Sequence, residues 1–525
     1  MKNLKMFVMG LVFGGVLFGT AAMANPVTRE IIFGVGVTYN GTTVEFDAGM
    51  EPFIMEGRTF LPVRTIAEMV GLDVNFVDGV VHLSAEGFTP TAARPERTVI
   101  NIWSFADEVP NMAARYMELN PEFAERYEIN TTIIATDGGG YEAALDRALT
   151  SGGSGAPDIY TAESYFVSRY AQGDMANYAM TYSDLGIENL SQRIADARIS
   201  PYIVEMGSRG DDVVGLAFQG TGGAVIYRRS IALEVWGNDD PDFVAAQIGP
   251  GWDRFFAAAE ELDAAGYNIT SGLGDVWNAV RTNGGPWITD GNLSIHPNNL
   301  EMFDYARTLY QNGWTNDTDM WSDSWFSDMS DYTYAWSRSQ RRESDSSWRP
   351  VFCFLGPAWL INYVMDFNSG DTYGDWAIAV PPVGFMWGGT WVIPNANMNP
   401  DVRDGVRELI EWITLDTSDT GLQYHWANGT LFGEGGTKDT VASAAVMERA
   451  DGSLDFLVGQ NMFDVFIPAG EIAVNTRFSS NSDWEIDYEF LWAVSEYANG
   501  NLTLEQALSR FKEEASAYFG NDMPR

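Results

Sequence analysis

Apolar residues recur along this chain with two alternating periods, and that alternation sets the expected architecture. From residue 98 onward, short runs of strand character alternate with longer stretches of helical spacing. Strands are expected over 99–105, 130–135 and 158–160, and helices over 112–119 and 141–150. Gly251-Trp252-Asp253-Arg254-Phe255 opens a helix that runs to Ala265 and stops at Gly266. Within 401–415, Val406, Leu409, Ile410 and Ile413 share one helical face. Helices are also expected over 298–312, 484–498 and 503–518. Strands separated by helices define an α/β body. No repeat of solenoid length interrupts it.

Residues 26–87 follow a different rhythm. Ile31 to Tyr39 is rich in β-formers, Asn40-Gly41 is a hairpin turn, and Thr43 to Phe46 returns as a strand. Val63, Ile66, Ala67 and Val70 then make a helical stripe ending at Gly71, followed by strands at 74–76 and 80–83 around Asp78-Gly79. A small α+β unit over 25–87 is expected. Residues 88–97 hold two prolines and no apolar period, which reads as a linker to the body at 98–525. Ahead of all this, Lys2 and Lys5 precede an apolar run from Met6 to Gly19, and Ala22-Met23-Ala24 supplies small residues for cleavage. Residues 1–24 therefore read as a signal peptide for a secreted protein. No other stretch reaches the roughly 18 uninterrupted apolar residues of a membrane span.

Composition narrows the partners. The 525 residues predict more than one domain, and 46% hydrophobic residues suffice for large cores. Against 31 basic residues stand 72 acidic ones, giving a net charge of -41. Such a field repels nucleic acid and anionic membrane surfaces. The single cysteine, Cys353, lies in an apolar run and reads as a small buried residue, not a reactive thiol. It permits no intramolecular disulfide and is far from any lipidated N-terminus.

The most informative order of residues lies in the second half. GPAWLINYV (356–364) is a helix start carrying a tryptophan. DWAIAVPPVGFMWGGTWVIPNANMNPDVRDGVRELIEWI (375–413) is a strand ending at Pro381-Pro382, a Gly-Gly turn between tryptophans, a short strand and an amphipathic helix. VVGLAFQGTGGAVIY (213–227) reads as an earlier strand pair, and Pro157-Asp158-Ile159-Tyr160 follows the opening strands and helices. This order resembles the extracellular solute-binding proteins, family 1, of ABC importers, the sugar-binding group. Gly251 stands where the family's Thr-Trp-Asp-x-Phe helix start has threonine. The resemblance covers 98–525. It implies a two-lobed periplasmic-binding-protein-like fold of type II, with hinge strands near 213–229 and 376–394. It also implies a carbohydrate ligand, delivery to an ABC permease in the membrane, no cofactor and no catalysis. The family's lipid-bearing cysteine is absent. MEGRTFLPVR (55–64) within the small unit resembles the stalk domain named after the N-terminal domain of copper amine oxidases. That resemblance implies a spacer or attachment module that could hold cell-wall material, and no copper.

A sugar presents an apolar C–H face and a polar rim, which flat aromatics and carboxylates match. The chain has 18 Trp, 22 Tyr and 30 Phe. In open α/β sheets ligands bind beyond the carboxyl ends of strands. That rule selects Trp103, Asp107 and Glu108 after the first strand, and Glu163 and Tyr165 after the third; each could equally be core or solvated loop. The resemblance points to Trp359, beside Gly356-Pro357, as a stacking residue. Of Trp387 and Trp391, which flank Gly388-Gly389, one should face the ligand and the other pack. Trp287 is expected to cap the cleft from the second lobe. Asp317, Asp319, Asp323, Asp328 and Asp331, set among Trp314, Trp321, Trp325, Tyr332 and Tyr334, form either a sugar subsite, a calcium site or a solvated loop. The loop 366–375 raises the same calcium question. Neither has EF-hand spacing.

Enzyme signatures are weak. The three histidines, His82, His296 and His425, form no metal-binding pair, and there is no nucleophile elbow or phosphate loop. Valine after Asn362-Tyr363 argues against the amine-oxidase cofactor. A secreted glycoside hydrolase needs only two carboxylates and stays open as an alternative, as does a cell-surface adhesion protein.

Overall fold

The computed structural model describes residues 31–85, 97–331, 348–474 and 483–518, apart from 34, 40–41, 45, 47–51, 56–57, 78–79, 137–139 and 290–291. The expected signal peptide, the Asn40-Gly41 and Asp78-Gly79 turns, nearly all of the linker, and Tyr332 and Tyr334 lie outside the described residues. The chain divides into two compact units, Met1–Glu96 and Arg97–Arg525. In the first, strands Ile31–Phe33, Phe53–Met55 and Arg58–Phe60 form an antiparallel sheet, followed by the helix Val63–Met69 and the hairpin Leu72–Val77 with Val80–Ala85. Of the predicted helical stripe only Ala67 is buried; Val63 and Val70 remain nearly half exposed. Gly71 ends that helix in the left-handed region (φ +81°).

The second unit has two lobes, each built on its own sheet. In lobe one the strand order is Leu216–Ala217, Thr390–Pro394, Ile159–Glu163, Thr98–Ser104, Tyr127–Ile133. The last three run parallel, and Thr390–Pro394 is antiparallel to both of its neighbours. The inner strands Thr390–Pro394 and Ile159–Glu163 are buried at every position but Glu163, as sheets covered on both faces require. The helix Arg403–Thr414 packs there through Val406, Leu409, Ile410 and Ile413, all fully buried.

Lobe two centres on Ala224–Arg228, antiparallel to Cys353–Gly356 on one side and Trp376–Ala379 on the other. Alternation along these strands feeds two separate cores. Val225, Tyr227, Cys353, Leu355, Ala377 and Ala379 face the helices that include Trp252–Ala265, Pro297–Asn312 and Asp483–Ala498. Ala224, Ile226, Phe354, Trp376 and Ile378 face the opposite core, with Trp359 and the helix Phe463–Ile472. Cys353 is fully buried, and its thiol donates to the Ile269 carbonyl at 3.2 Å.

The chain passes from lobe one to lobe two over 218–223 and returns over 380–389. A further segment, 438–443, runs beside the first passage: Thr440 Oγ1 donates to the Gly220 carbonyl (2.5 Å) and the Ala442 amide to that of Phe218 (2.8 Å).

Candidate functional site

The passages between the lobes are stitched to each other. The Gly223 amide donates to the Phe385 carbonyl (2.9 Å), the Trp387 amide to that of Thr221 (3.0 Å), and Thr221 Oγ1 to that of Gly388 (2.9 Å). Gly388 and Gly389 both adopt positive φ (82° and 116°), where side chains are strained. A Cβ on Gly388 would also lie 3.2 Å from the Trp359 indole nitrogen. The Gly-Gly turn thus lets the backbone come close enough for Trp359 to dock, its indole N–H donating to the Trp387 carbonyl at 3.0 Å.

Around this turn stands an aromatic group. Trp359 and Trp387 meet edge to face, with ring centroids 4.6 Å apart. Trp321 lies parallel to Trp359 at 6.2 Å and is 45% exposed. Its own backbone has φ +67°, an uncommon conformation for a bulky residue. Trp325 supports Trp321 from below; it is fully buried and donates to Asp275 at 3.3 Å. Burial pushes the Asp275 carboxyl up to about 7.

Lobe one contributes acids and one phenol. Trp103 ends its strand half-buried against the lobe-one core, Asp107 is exposed, and Glu108 begins the helix Glu108–Leu119. Burial raises the Glu108 carboxyl, and the charge of Asp107 raises it further. Asp439 on the 438–443 segment is 1% exposed and pushed up to about 7, first by burial, with the charge of Glu108 also raising it. Tyr363, one turn from Trp359, feels both carboxylates. Glu163 accepts from Ser164 Oγ (2.6 Å) and the Tyr165 amide (2.8 Å). Burial raises its carboxyl, and these donors pull it back. Tyr165 reaches lobe two: Arg281 donates to its hydroxyl and stacks over its ring at 4.8 Å.

Two expected ligand contacts fall elsewhere. Trp287 does not cap the cleft. It is fully buried among Trp277, Phe490 and Phe511, and its N–H donates to Asp487 at 2.8 Å. Both members of the Trp387/Trp391 pair are buried, at 6% and 0% exposure: Trp387 packs in the lobe-two core with Trp359, and Trp391 turns into lobe one, where its N–H donates to the Ile203 carbonyl at 2.9 Å. The acid-rich loop is held by protein partners. Asp328 accepts from Ser271, Asn316 and Trp348, Asp331 pairs with Arg228 at 2.9 Å, and Asp317 accepts from Tyr310. Among the described residues no group of three or more His, Cys, Asp or Glu is placed to hold a metal. Arg281 and Asp439 were not selected from the sequence. Arg281 ends a helix and Asp439 follows the glycine-rich turn 433–436, and each meets its neighbours only through the folded lobes. A separate open groove of about 860 Å³, between Tyr116 and Trp412, lies apart from the crossing. Its Glu408 and Glu411 are already paired with Arg126 and Arg193.

Two α/β lobes joined by crossing strands, with an aromatic and acidic lining at the join, define a bilobal binding protein. The model of the bacterial extracellular solute-binding protein family matches residues 106–419, and the chain belongs to that family. Its members bind solutes outside the cell and are not enzymes. Solved structures share the fold at low identity. An extracellular solute-binding protein of family 1 is 16% identical, covers 80% of this chain and all of its own, and gives a TM-score of 0.62. The galacto-N-biose/lacto-N-biose I-binding protein of a Bifidobacterium longum ABC transporter is 14% identical over 82% of this chain and 99% of its own, with a TM-score of 0.56. The sugar-binding protein MalE of Xanthomonas citri is 13% identical over 81% and 98%, with a TM-score of 0.54. No curated protein matches the chain. No helix of the described residues is long and apolar enough to cross a membrane.

Proposed function

We propose that this protein captures a carbohydrate, an oligosaccharide, between its lobes and delivers it to an ABC permease. The observation that carries this reading is the group of Trp321, Trp359 and Trp387 at the crossing, with the Trp321 ring 45% exposed. Indole faces cover the C–H side of a pyranose, and carboxylates accept from its hydroxyls. Trp103, Asp107, Glu108, Glu163 and Tyr165 are the lobe-one contacts in this reading, and lobe closure on the ligand shifts the population toward the state the permease receives. The sugar-binding proteins of similar fold support the substrate class. A thermal-shift screen of the full chain against mono- and oligosaccharides, with product analysis, tests it. A selective rise in melting temperature with the sugar recovered intact supports it. Cleaved sugar would move the protein to the hydrolases, and no shift with any sugar would refute the substrate class.

The first unit serves, in the same reading, as a stalk that spaces the receptor from the cell surface or attaches it to cell-wall material, downstream of a cleaved signal peptide at 1–24. Pull-down of the full chain by purified cell wall, lost when residues 25–97 are deleted, is the expected result.

A further inference from the structure

The first unit leaves several large apolar side chains uncovered. Among its described residues only Ala67 and Val74 are buried hydrophobics, at 4% and 8% exposure. Phe60, Leu61, Val63, Val70, Val81 and Leu83 are each 39–48% exposed. They are not scattered. Val63 and Val70 stand two turns apart, on the side of the helix that carries Ala67. Residues opposite one another in an antiparallel pair point to one face, so Leu83 shares the face of Val74, and Val81 lies on it too. Val74 is buried while Asp73 beside it is exposed, which marks this as the face the helix covers. The cover reaches the strand Leu72–Val77 and stops there: Leu83, directly across from Val74, is 48% exposed.

The backbone beside these side chains is open as well. Among the described residues Val80–Ala85 pairs only with Leu72–Val77, so its outer edge presents N–H and C=O groups with no strand to meet. Such edges are normally guarded by charge, proline or a bulge. Val-Val-His-Leu-Ser-Ala contains no lysine, arginine, acid or proline. A two-stranded hairpin is marginal in water, and a unit of about 55 residues has little surface burial to spare.

We propose that a second copy of this chain docks here: the strands Val80–Ala85 of two copies pair antiparallel about a two-fold axis, joining two hairpins into one four-stranded sheet and closing the apolar sides of both units. The patch is self-complementary, as a two-fold contact requires. Pairing centred on residue 82 sets Val81 of one copy opposite Leu83 of the other, on the uncovered face. Charge favours the same occupant. Two chains of net charge -41 repel, and this uncharged strand is a place where they can meet without juxtaposed like charges. An anionic membrane is repelled by the same field, and an aliphatic face offers a glycan neither flat rings nor carboxylates. The inference extends the stalk reading and is independent of the sugar reading: a paired stalk brings two binding units together.

The test is analytical ultracentrifugation of the full chain from about 1 to 100 μM, a range that spans a micromolar association. A species of twice the chain mass is expected. Leu83→Glu should weaken the dimer roughly 100-fold or more, because each copy brings a like charge to the contact. Cysteine chemistry locates the contact and carries the test if Leu83→Glu fails to fold. Cys353 is fully buried, so Leu83→Cys adds the reactive thiol. A short bismaleimide should join two Leu83→Cys chains and should not join two Asp73→Cys chains, whose thiols lie on the other face. A dimer that survives Leu83→Glu and gives no link at residue 83 overturns the inference, since another surface then holds it. A monomer throughout the range also overturns it. In that case a thiol at 83 that resists maleimide means the chain's own segments cover the face, and one that reacts freely assigns the face to a different partner.

Discussion

Lobe two contains two clusters of large aromatics that look alike in composition and differ in what surrounds them. In one, Trp287 packs against Trp277, Phe490 and Phe511, with centroid distances of 5.0–6.3 Å. Its ring is fully buried, and its N–H is answered by Asp487 at 2.8 Å. In the other, Trp359 and Trp387 meet at 4.6 Å, but Trp321 stands over them 45% exposed on left-handed backbone. The first cluster has no ring face to offer a ligand. The second holds an open indole in a strained conformation. An aromatic side chain serves stability or recognition according to whether its faces are closed by the protein, and strain that packing does not require is a mark of recognition.

The comparison can be broken most easily at Trp287. Trp287→Ala should cost about 3–5 kcal/mol of unfolding free energy, as large-to-small changes in packed cores do. Urea denaturation followed by tyrosine and tryptophan fluorescence measures it, and protein that remains folded should still bind sugar. A loss below about 1 kcal/mol combined with abolished binding would return Trp287 to the cleft and erase the distinction.

Trp359→Ala should behave in the opposite way. Sugar affinity should fall about 10- to 100-fold, roughly 1.4–2.8 kcal/mol. Stability should fall by less than in Trp287→Ala, because a half-buried ring closes less apolar area. Titration calorimetry and denaturation on the same preparation separate the two effects. Equal affinity in variant and parent would remove Trp359 from the ligand site.

These opposite expectations show what could be read from the chain and what could not. The close packing of Trp359 on the turn after Trp387 was legible in part, because Gly388-Gly389 announces a close backbone approach and the family resemblance singled out Trp359. The body's strands and helices were legible from period alone: the helix expected to run from Gly251 to Ala265 spans Trp252–Ala265, capped by left-handed Gly266. Trp287 and Trp391 were not, for a physical reason. Thr390–Pro394 is buried at every position, so alternation carries no information about which face meets ligand. The environment of Trp287 depends on Asp487, 200 residues away. Asp439 was equally hidden: it lies on an irregular segment, and its meaning comes from Glu108, which is distant in sequence.

A smaller effect sharpens the support beneath the exposed cluster. Asp275 is buried under Trp325, and its carboxyl is raised to about 7, mainly by burial. An unfolded aspartate titrates near 3.9. Between roughly pH 4 and 7, therefore, the unfolded chain gives up this proton while the folded protein keeps it, so the group's contribution to stability falls as pH rises, and the full penalty is present above 7. Asp275→Asn has no proton to lose. Its stability relative to the parent should rise across that interval, to a net gain on the order of 1 kcal/mol at pH 8. The gain is limited because asparagine keeps only one acceptor for the Gly272 amide and the Trp325 indole. A difference between the two proteins that stays flat with pH would mean that Asp275 is already ionised in the folded state.

The smallest expected effect concerns a path that joins the closed cluster to the cleft. Trp287 donates to Asp487, Asp487 pairs with Arg281 at 3.8 Å, and Arg281 donates to Tyr165 across the lobes. A buried core residue can in this way position a cleft residue without touching ligand. Tyr165→Phe removes only the hydroxyl that accepts from Arg281. The ring stays under the guanidinium, whose cation–π attraction persists. The loss should be about 0.5–1.5 kcal/mol, felt in the closed state and not in the fold of either lobe. The ligand-free protein should then show a larger radius of gyration by small-angle scattering and a few-fold weaker sugar affinity, with its melting temperature nearly unchanged. If scattering and affinity both stay put while the melting temperature drops, the contact belongs to the lobes' internal packing. The path from Trp287 would then end at Asp487, and the two aromatic clusters would be independent.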